Sequence, residues 1–215
     1  MGFVKSMNNV NLLLKRIFDI LFAAVGIVFL SPLFFVLALC VRLGSKGPIF
    51  FKQIRVGKDE KYFKIFKFRT MIIAAETKGL SITVGEDIRI TRIGRFLRKT
   101  KLDEIPQLFN ILRGDMSLVG PRPEVIKYVN MYNEEQRQVL RVRPGITDYA
   151  SICFRNENEI LAMSEDPESE YINNIMPLKI KYGLKYIEEM NLFTDMKVLC
   201  LTVWVVCGGK VEIKV

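Results

Sequence analysis

The sequence predicts a mixed α and β fold, mainly helical, organised around one N-terminal helix in a membrane. Three observations carry that prediction. Residues 20–41 form a run of 22 residues without a charge, against the roughly 20 apolar residues that cross a bilayer core as a helix. Two apolar stretches, residues 49–56 and 62–69, flank a Gly57-Lys58-Asp59-Glu60 turn in the manner of a β-hairpin. Most of the remaining chain sets apolar residues at helical spacing.

The apolar run comes first. It ends in Arg42, Leu43 and Gly44 with no small-residue cleavage pattern, so it reads as retained rather than as a signal peptide. Ser31-Pro32 falls in its middle, where a proline lacks a donor and crowds the preceding turn, so a bend or break is expected. Each half is then roughly 15 Å long at helical rise, short of a ~30 Å core. A kinked spanning helix and a re-entrant hairpin both remain open from periodicity. The flanks favour the hairpin, because Lys5, Lys15 and Arg16 precede the run and Arg42, Lys46 and Lys52 follow it, placing both ends on the cytoplasmic side. Asp19, one turn inside, is expected to pair with Arg16 at the interface.

After the hairpin, residues 88–101 carry Arg89, Arg92, Arg95, Arg98 and Lys99 at helical spacing among Ile90, Ile93, Phe96 and Leu97, an amphipathic basic segment suited to a membrane surface or an anionic substrate. Residues 100–114 read as one helix, with Pro106 in its first turn, Leu108, Ile111 and Leu112 as its buried stripe and Gly114 as its stop. That would put Asp103 and Glu104 at a helix N-terminus, where the dipole favours carboxylates and free N–H groups favour phosphate. A helix over residues 125–141 follows the Pro121-Arg122-Pro123 turn, then a Pro144-Gly145 turn. An apolar segment at 195–207, with Trp204 inside it, is too short to span and reads as lying on a membrane surface.

Composition narrows the chemistry. The net charge is +9 and there is no histidine, which removes Ser-His and Cys-His nucleophiles and the commonest metal ligand. Cys40, Cys153, Cys200 and Cys207 are scattered without a CxxC pair, so neither a disulfide framework nor a zinc site is expected. There is no P-loop and no G-x-G-x-x-G. Chemistry must come from carboxylates, lysines or arginines. An adjacent Asp-Glu pair is most often a helix cap, but here arginines surround it. A carboxylate can attack phosphorus to give an acyl phosphate, and Mg²⁺ bridging to a diphosphate would balance two close negative charges. The rival from another class is a non-catalytic, membrane-anchored module whose basic, aromatic hairpin holds anionic lipid or nucleic acid.

The ordered motifs are Lys15-Arg16-Ile17-Phe18-Asp19, Ser31-Pro32, Gly47-Pro48-Ile49-Phe50, Phe66-Lys67-Phe68-Arg69-Thr70-Met71, Leu102-Asp103-Glu104, Gln107-Leu108-Phe109-Asn110, Gly114-Asp115-Met116-Ser117, Val119-Gly120-Pro121-Arg122-Pro123 and Val142-Arg143-Pro144-Gly145-Ile146-Thr147. Together they resemble the bacterial small monotopic phosphoglycosyl transferases, also called undecaprenyl-phosphate sugar phosphotransferases, over nearly the whole chain. The resemblance implies a re-entrant membrane helix (residues 1–42) broken at Ser31-Pro32, and a catalytic unit (residues 43–215), including interfacial amphipathic helices, on the cytoplasmic face of the bacterial inner membrane. It implies Mg²⁺ as cofactor, held by Asp103 and Glu104, and a ping-pong reaction. Asp103 would attack the sugar-linked phosphate of a UDP-sugar and release UMP, and a polyprenyl phosphate would then take the phosphosugar. Glu104 would assist, while Lys67, Arg69, Arg98, Arg122 and Arg143 would bind substrate. The implied partners are the UDP-sugar, the polyprenyl phosphate and membrane phospholipid, with no nucleic acid and with a homodimer left open. After Thr147 the chain departs from the common Gly-Trp-Ala-Gln-Val-Asn-Gly-Arg-Asn pattern, reading Asp148-Tyr149-Ala150-Ser151-Ile152-Cys153-Phe154-Arg155-Asn156 instead. A particular sugar is therefore not carried over.

Overall fold

The computed structural model describes residues 9–73, 82, 85 and 87–213. Lys5 of the basic flank lies outside those residues. Helix α1 (Asn9–Gly44) is a single 36-residue helix with Pro32 inside it, long and apolar enough to cross a membrane. Of the bend or break expected there, the break is corrected: helical structure continues through Ser31-Pro32. Pro32 has no N–H for the Val28 carbonyl, and the Ser31 hydroxyl donates to that carbonyl at 2.8 Å instead. The group that a proline frees is satisfied within the helix, which is what a low-dielectric setting demands.

One face of α1 is tied to the rest of the chain along its length. Near its start, Lys15 Nζ donates to Val119 O (3.0 Å) and to Asp195 Oδ2 (2.6 Å), and Arg16 Nη2 donates to Ile111 O (2.8 Å). Ala23 packs with Ile65, Ile111 and Met116, and farther along Leu37 and Val41 pack with Phe68 and Leu97. Burying each of the larger side chains stabilises by about 1.5–3 kcal/mol. The other face leaves Val25, Val28, Phe29 and Phe35 exposed. Asp19 does not pair with Arg16 as expected. It accepts the Leu118 backbone N–H at 3.0 Å, and among the described residues it has no salt bridge.

The hairpin forms as predicted, with β1 (Phe50–Val56) antiparallel to β2 (Tyr62–Phe68) in the register Phe50↔Phe68 to Val56↔Tyr62. Its turn holds Asp59 and Glu60 at positive φ (53° and 60°). Helix α2 (Arg92–Thr100) starts later than expected, because Asp87 Oδ1 accepts the Arg89 N–H and Ile90 bridges to Met71, holding residues 88–90 out of helix. The helix over 100–114 is also corrected. Lys101 turns left-handed (φ 58°), a 3-10 turn follows at Leu102–Glu104, and α3 is only Gln107–Arg113 with Pro106 as its N-cap. Within its stripe Ile111 is fully buried, whereas Leu112 is exposed.

Two Pro/Gly motifs meet in the parallel pair β3 (Ser117–Val119) and β4 (Gly145–Thr147). A Cβ on Gly145 would lie 2.1 Å from Gly120 N, and one on Gly120 would lie 2.5 Å from Arg143 O, so only glycine lets these backbones touch. The helix expected over 125–141 divides into α4 (Ile126–Val129) and a 3-10 turn Gln136–Arg141. Asn133 and Gln136 bond each other's backbone N–H, a reciprocal cap that begins a new turn there. The remainder is α5 (Tyr149–Cys153), α6 (Glu157–Ala162), α7 (Pro167–Glu170), a π-turn (Tyr171–Ile175), α8 (Met176–Glu189) and α9 (Leu192–Val206). These surround the largest apolar cluster, with Tyr128, Tyr149, Tyr186 and Val198 at its centre, while α9 leaves Phe193, Val203 and Trp204 exposed. All four cysteines are free thiols.

Candidate active site

The break between α2 and α3 builds the site. A non-glycine residue in the left-handed region costs on the order of 1 kcal/mol, and at Lys101 it reverses the chain so that Asp103 and Glu104 turn inward, 7% and 8% exposed. The pair therefore sits on a buried 3-10 turn ahead of α3, not at a helix N-terminus, and burial together with side-chain cations sets its ionisation.

Glu104 is saturated. Lys67 Nζ, from β2, donates to Oε1 at 2.8 Å, and Arg122 donates through Nη2 to Oε1 at 2.5 Å and through Nη1 to Oε2 at 3.4 Å. Burial opposes ionisation, but the charges and hydrogen bonds of Arg122 and Lys67 outweigh it and hold Glu104 well below the usual carboxylate range. Arg122 is pushed up by the same contact. Asp103 behaves oppositely. Burial pushes its carboxyl up and the Glu104 charge adds to this, while Lys67, Arg98 and Lys101 pull it back. Its Oδ1 is buried with no hydrogen-bond partner. For Lys67, burial outweighs the charge of Glu104 and lowers the ammonium pKa.

Arg98 and Arg122 reach this centre from opposite sides. Arg98, on α2, donates from Nε to Thr70 Oγ1 at 2.8 Å, and its burial is offset first by the charge of Asp103. Arg122 is set by its own backbone N–H, which donates to Asp148 Oδ2 at 3.3 Å, and Asp148 also caps α5. The structure does not bring Arg69 and Arg143 to the pair. Arg69 donates from Nη2 to Ser45 O (2.7 Å) and Ser45 Oγ (2.8 Å) at the end of α1. Arg143 donates from Nε to Gly114 O (2.8 Å), at the far end of α3.

Three residues near the centre escaped the sequence reading. Lys101 has no local signal for its left-handed backbone. Gln107 and Asn110 lie in the Gln107-Leu108-Phe109-Asn110 run, where neutral amides carry no charge pattern to mark them. Asn110 staples α3 to β2, its Oδ1 accepting Phe66 N–H (2.9 Å) and its Nδ2 donating to Lys64 O (2.8 Å). Gln107 is 1% exposed and its Nε2 has no partner.

Mg²⁺ can be tested against these residues. Among the described residues no group of three His, Cys, Asp or Glu converges, and the counter-charge that Glu104 needs is met by Lys67 and Arg122. The open Asp103 Oδ1 still fits a hard cation, since Mg²⁺ is commonly held by one or two carboxylates with the rest of its shell from substrate phosphates and water. The hairpin aromatics do not form a stacking platform. Phe50, Phe68 and Phe34 pack on one another with centroids 4.9–5.8 Å apart, and Phe66 receives Arg113 at 4.7 Å.

Fold and site define a class: a chain with one long lipid-suited helix whose buried carboxylate pair is ringed by cations. Comparison with known proteins supplies the particular family. The family described as bacterial sugar transferase matches residues 10–209, and the chain belongs to it. It is 36% identical over 210 residues to a UDP-glucose:undecaprenyl-phosphate glucose-1-phosphate transferase of Klebsiella pneumoniae, covering 94% of this chain and 42% of that protein. It is 38% identical over 192 residues to the uncharacterized sugar transferase EpsL of Bacillus subtilis, covering 89% of this chain and 86% of that one. It is also 36% identical to a UDP-N-acetylgalactosamine-undecaprenyl-phosphate N-acetylgalactosaminephosphotransferase of Aeromonas hydrophila, covering 91% of this chain and 44% of that protein. The chain thus spans less than half the length of two of these three relatives. Membership of this family, with the packed aromatics, favours an enzyme over the binding-module alternative.

Proposed function

We propose that the protein transfers a phosphosugar from a UDP-sugar to a polyprenyl phosphate such as undecaprenyl phosphate and releases UMP. The observation that carries this reading is the asymmetry of the buried pair. Both Glu104 oxygens accept from cations, while Asp103 keeps an open oxygen among Lys67, Arg98 and Lys101.

In the reading, Asp103 Oδ1 attacks the sugar-linked phosphorus. The Oδ1–P bond forms as the bond from that phosphorus to the bridging oxygen breaks, and the oxygen leaves with its electron pair as part of UMP. The acceptor phosphate oxygen then attacks the same phosphorus and returns Asp103 as a carboxylate. Lys67, Arg98 and Arg122 neutralise the diphosphate and the charge that gathers on its oxygens, and such preorganised groups strengthen as the charge develops. Glu104 orients Lys67 and Arg122. Mg²⁺, when bound, would be held by Asp103 and the donor phosphates and would add further charge neutralisation. Arg143 donates to a backbone carbonyl away from the pair, and Arg69 is held through Nη2 by Ser45 and Val41 with its Nε and Nη1 buried and unpartnered among the described residues, so neither is given a part in the step.

Helix α1 is read as re-entrant, with the catalytic part on the cytoplasmic face of the bacterial inner membrane. Support comes from its two ends, which bond to the same body through Lys15 at the start and Val41 at the finish. A straight crossing would carry those ends to opposite sides. The exposed apolar residues of α1 and α9 suit contact with phospholipid.

The test is to incubate purified protein with a panel of UDP-sugars, Mg²⁺ and polyprenyl phosphate. UMP is the expected nucleotide product, and Asp103→Asn should abolish its release. Formation of UDP, or UMP release that survives Asp103→Asn, overturns the reading.

A further inference from the structure

We propose that Gln107 contacts the substrate in the same site, its side-chain amide donating a hydrogen bond to the phosphoryl group that Asp103 carries. The inference rests on the reading above and assigns a further residue to it.

Helix α3 holds two buried side-chain amides, and the contrast between them is informative. Asn110 is 0% exposed and bonded at both ends, with Nδ2 donating to Lys64 O and Asp115 Oδ2 (3.2 Å) and Oδ1 accepting from Phe66 N–H. Gln107, one turn earlier and 1% exposed, leaves Nε2 with no partner. A buried donor without an acceptor costs about 1–3 kcal/mol. A residue chosen only to fill that space would be apolar.

The missing acceptor can be located from the backbone. Between Asp103 and Gln107, Ile105 (φ −51°, ψ −39°) and Pro106 (φ −60°, ψ −15°) are both right-handed helical. The Leu102–Glu104 turn is 3-10, with Glu104 N–H bonded to Lys101 O and Ile105 N–H to Leu102 O, so the two side chains lie about one turn of chain apart rather than stacked on one face. One turn from the unpartnered amide is thus the unpartnered Oδ1 of Asp103. A buried donor and a buried acceptor one turn apart, neither bonded among the described residues, are both satisfied by a group that enters between them when substrate binds. A phosphoryl group does so, with phosphorus bonded to Oδ1 and a non-bridging oxygen accepting from Nε2. Gln107 is neutral, so it adds a donor to a site already rich in cations without a further charge to desolvate.

The experiment compares wild type with Gln107→Met, which removes the donor at similar volume, and Gln107→Glu, which keeps the shape. Three quantities are read: the UMP burst without acceptor, KM for the UDP-sugar, and the melting temperature. Both variants are expected to slow the burst about 10- to 100-fold with KM within about twofold. Gln107→Met should melt at or above the wild-type temperature, because an unsatisfied buried group has been removed. A wild-type burst in either variant overturns the inference, as does a burst that falls only together with the melting temperature. Asp103→Asn is run alongside. If its burst persists, the parent reading fails; if it is silent while Gln107→Met is not, only the part given to Gln107 fails.

Discussion

Two of the buried ionic clusters among the described residues, one at the foot of α1 and one between α2 and α3, are finished differently. In the first, Lys15 donates to Asp195 and Val119, and Tyr186 donates to the same two groups at 2.6 and 3.1 Å, so the lysine, both carboxylate oxygens and the carbonyl are all engaged. In the second, Glu104 is equally saturated, but Asp103 Oδ1 and Gln107 Nε2 are left open. In both clusters burying the charges carries a desolvation cost. A closed network holds a fold together. An open one holds a place for something else, and the difference separates a structural cluster from a working site more sharply than charge or burial does.

Substitutions can break or sharpen that comparison. The largest effect is expected at Asp103→Asn. Turnover should fall on the order of 10⁴-fold, about 5.4 kcal/mol of barrier, with the melting temperature at neutral pH unchanged or raised. The sign follows from burial: a carboxyl whose folded pKa is raised stabilises the fold when protonated, and that contribution is lost as pH rises through the folded value. A fall in melting temperature would mean that Asp103 belongs to the closed kind of cluster.

Next is Lys15→Ala. Removing one partner of a buried pair costs about 3–5 kcal/mol, so a clear drop in melting temperature is expected, with near-wild-type activity per folded molecule at low temperature. Unchanged stability would erase the contrast. Glu104→Gln is expected to act through pH. Glu104's pKa is depressed in the folded state, so its stabilisation is present above its ordinary value of 4.5 and disappears as pH falls through the lower folded value. Acid unfolding curves should therefore separate wild type from variant at neutral pH and converge on acidification. The smallest effect is expected at Ser31→Ala, about 1 kcal/mol, measured by unfolding in micelles, from exposing the Val28 carbonyl.

Sequence reasoning reached the hairpin, the N-terminal helix and the carboxylate pair because each has a local physical signature: apolar flanks around a turn, an uncharged run, adjacent acids among bases. It failed where a single backbone angle decides. Nothing in a lysine announces a left-handed conformation, so the Lys101 break went unread and the pair was set on the wrong element. The division of the helix expected over 125–141 was readable, since Asn133-Glu134-Glu135-Gln136 has the spacing of a reciprocal cap. The β3–β4 pairing was not, because it depends on two distant glycines meeting. Around the pair, Lys67 and Arg122 bond Glu104 and the charge of Arg98 acts on Asp103, whereas Arg69 and Arg143 bond groups elsewhere.

Asn110 has one more consequence. A two-stranded hairpin offers a bare edge to any passing chain. By occupying the Phe66 N–H and Lys64 C=O, the Asn110 amide imitates a third strand and blocks the middle of that edge. The same side chain that fixes α3 behind the site thereby guards the sheet against unwanted strand addition.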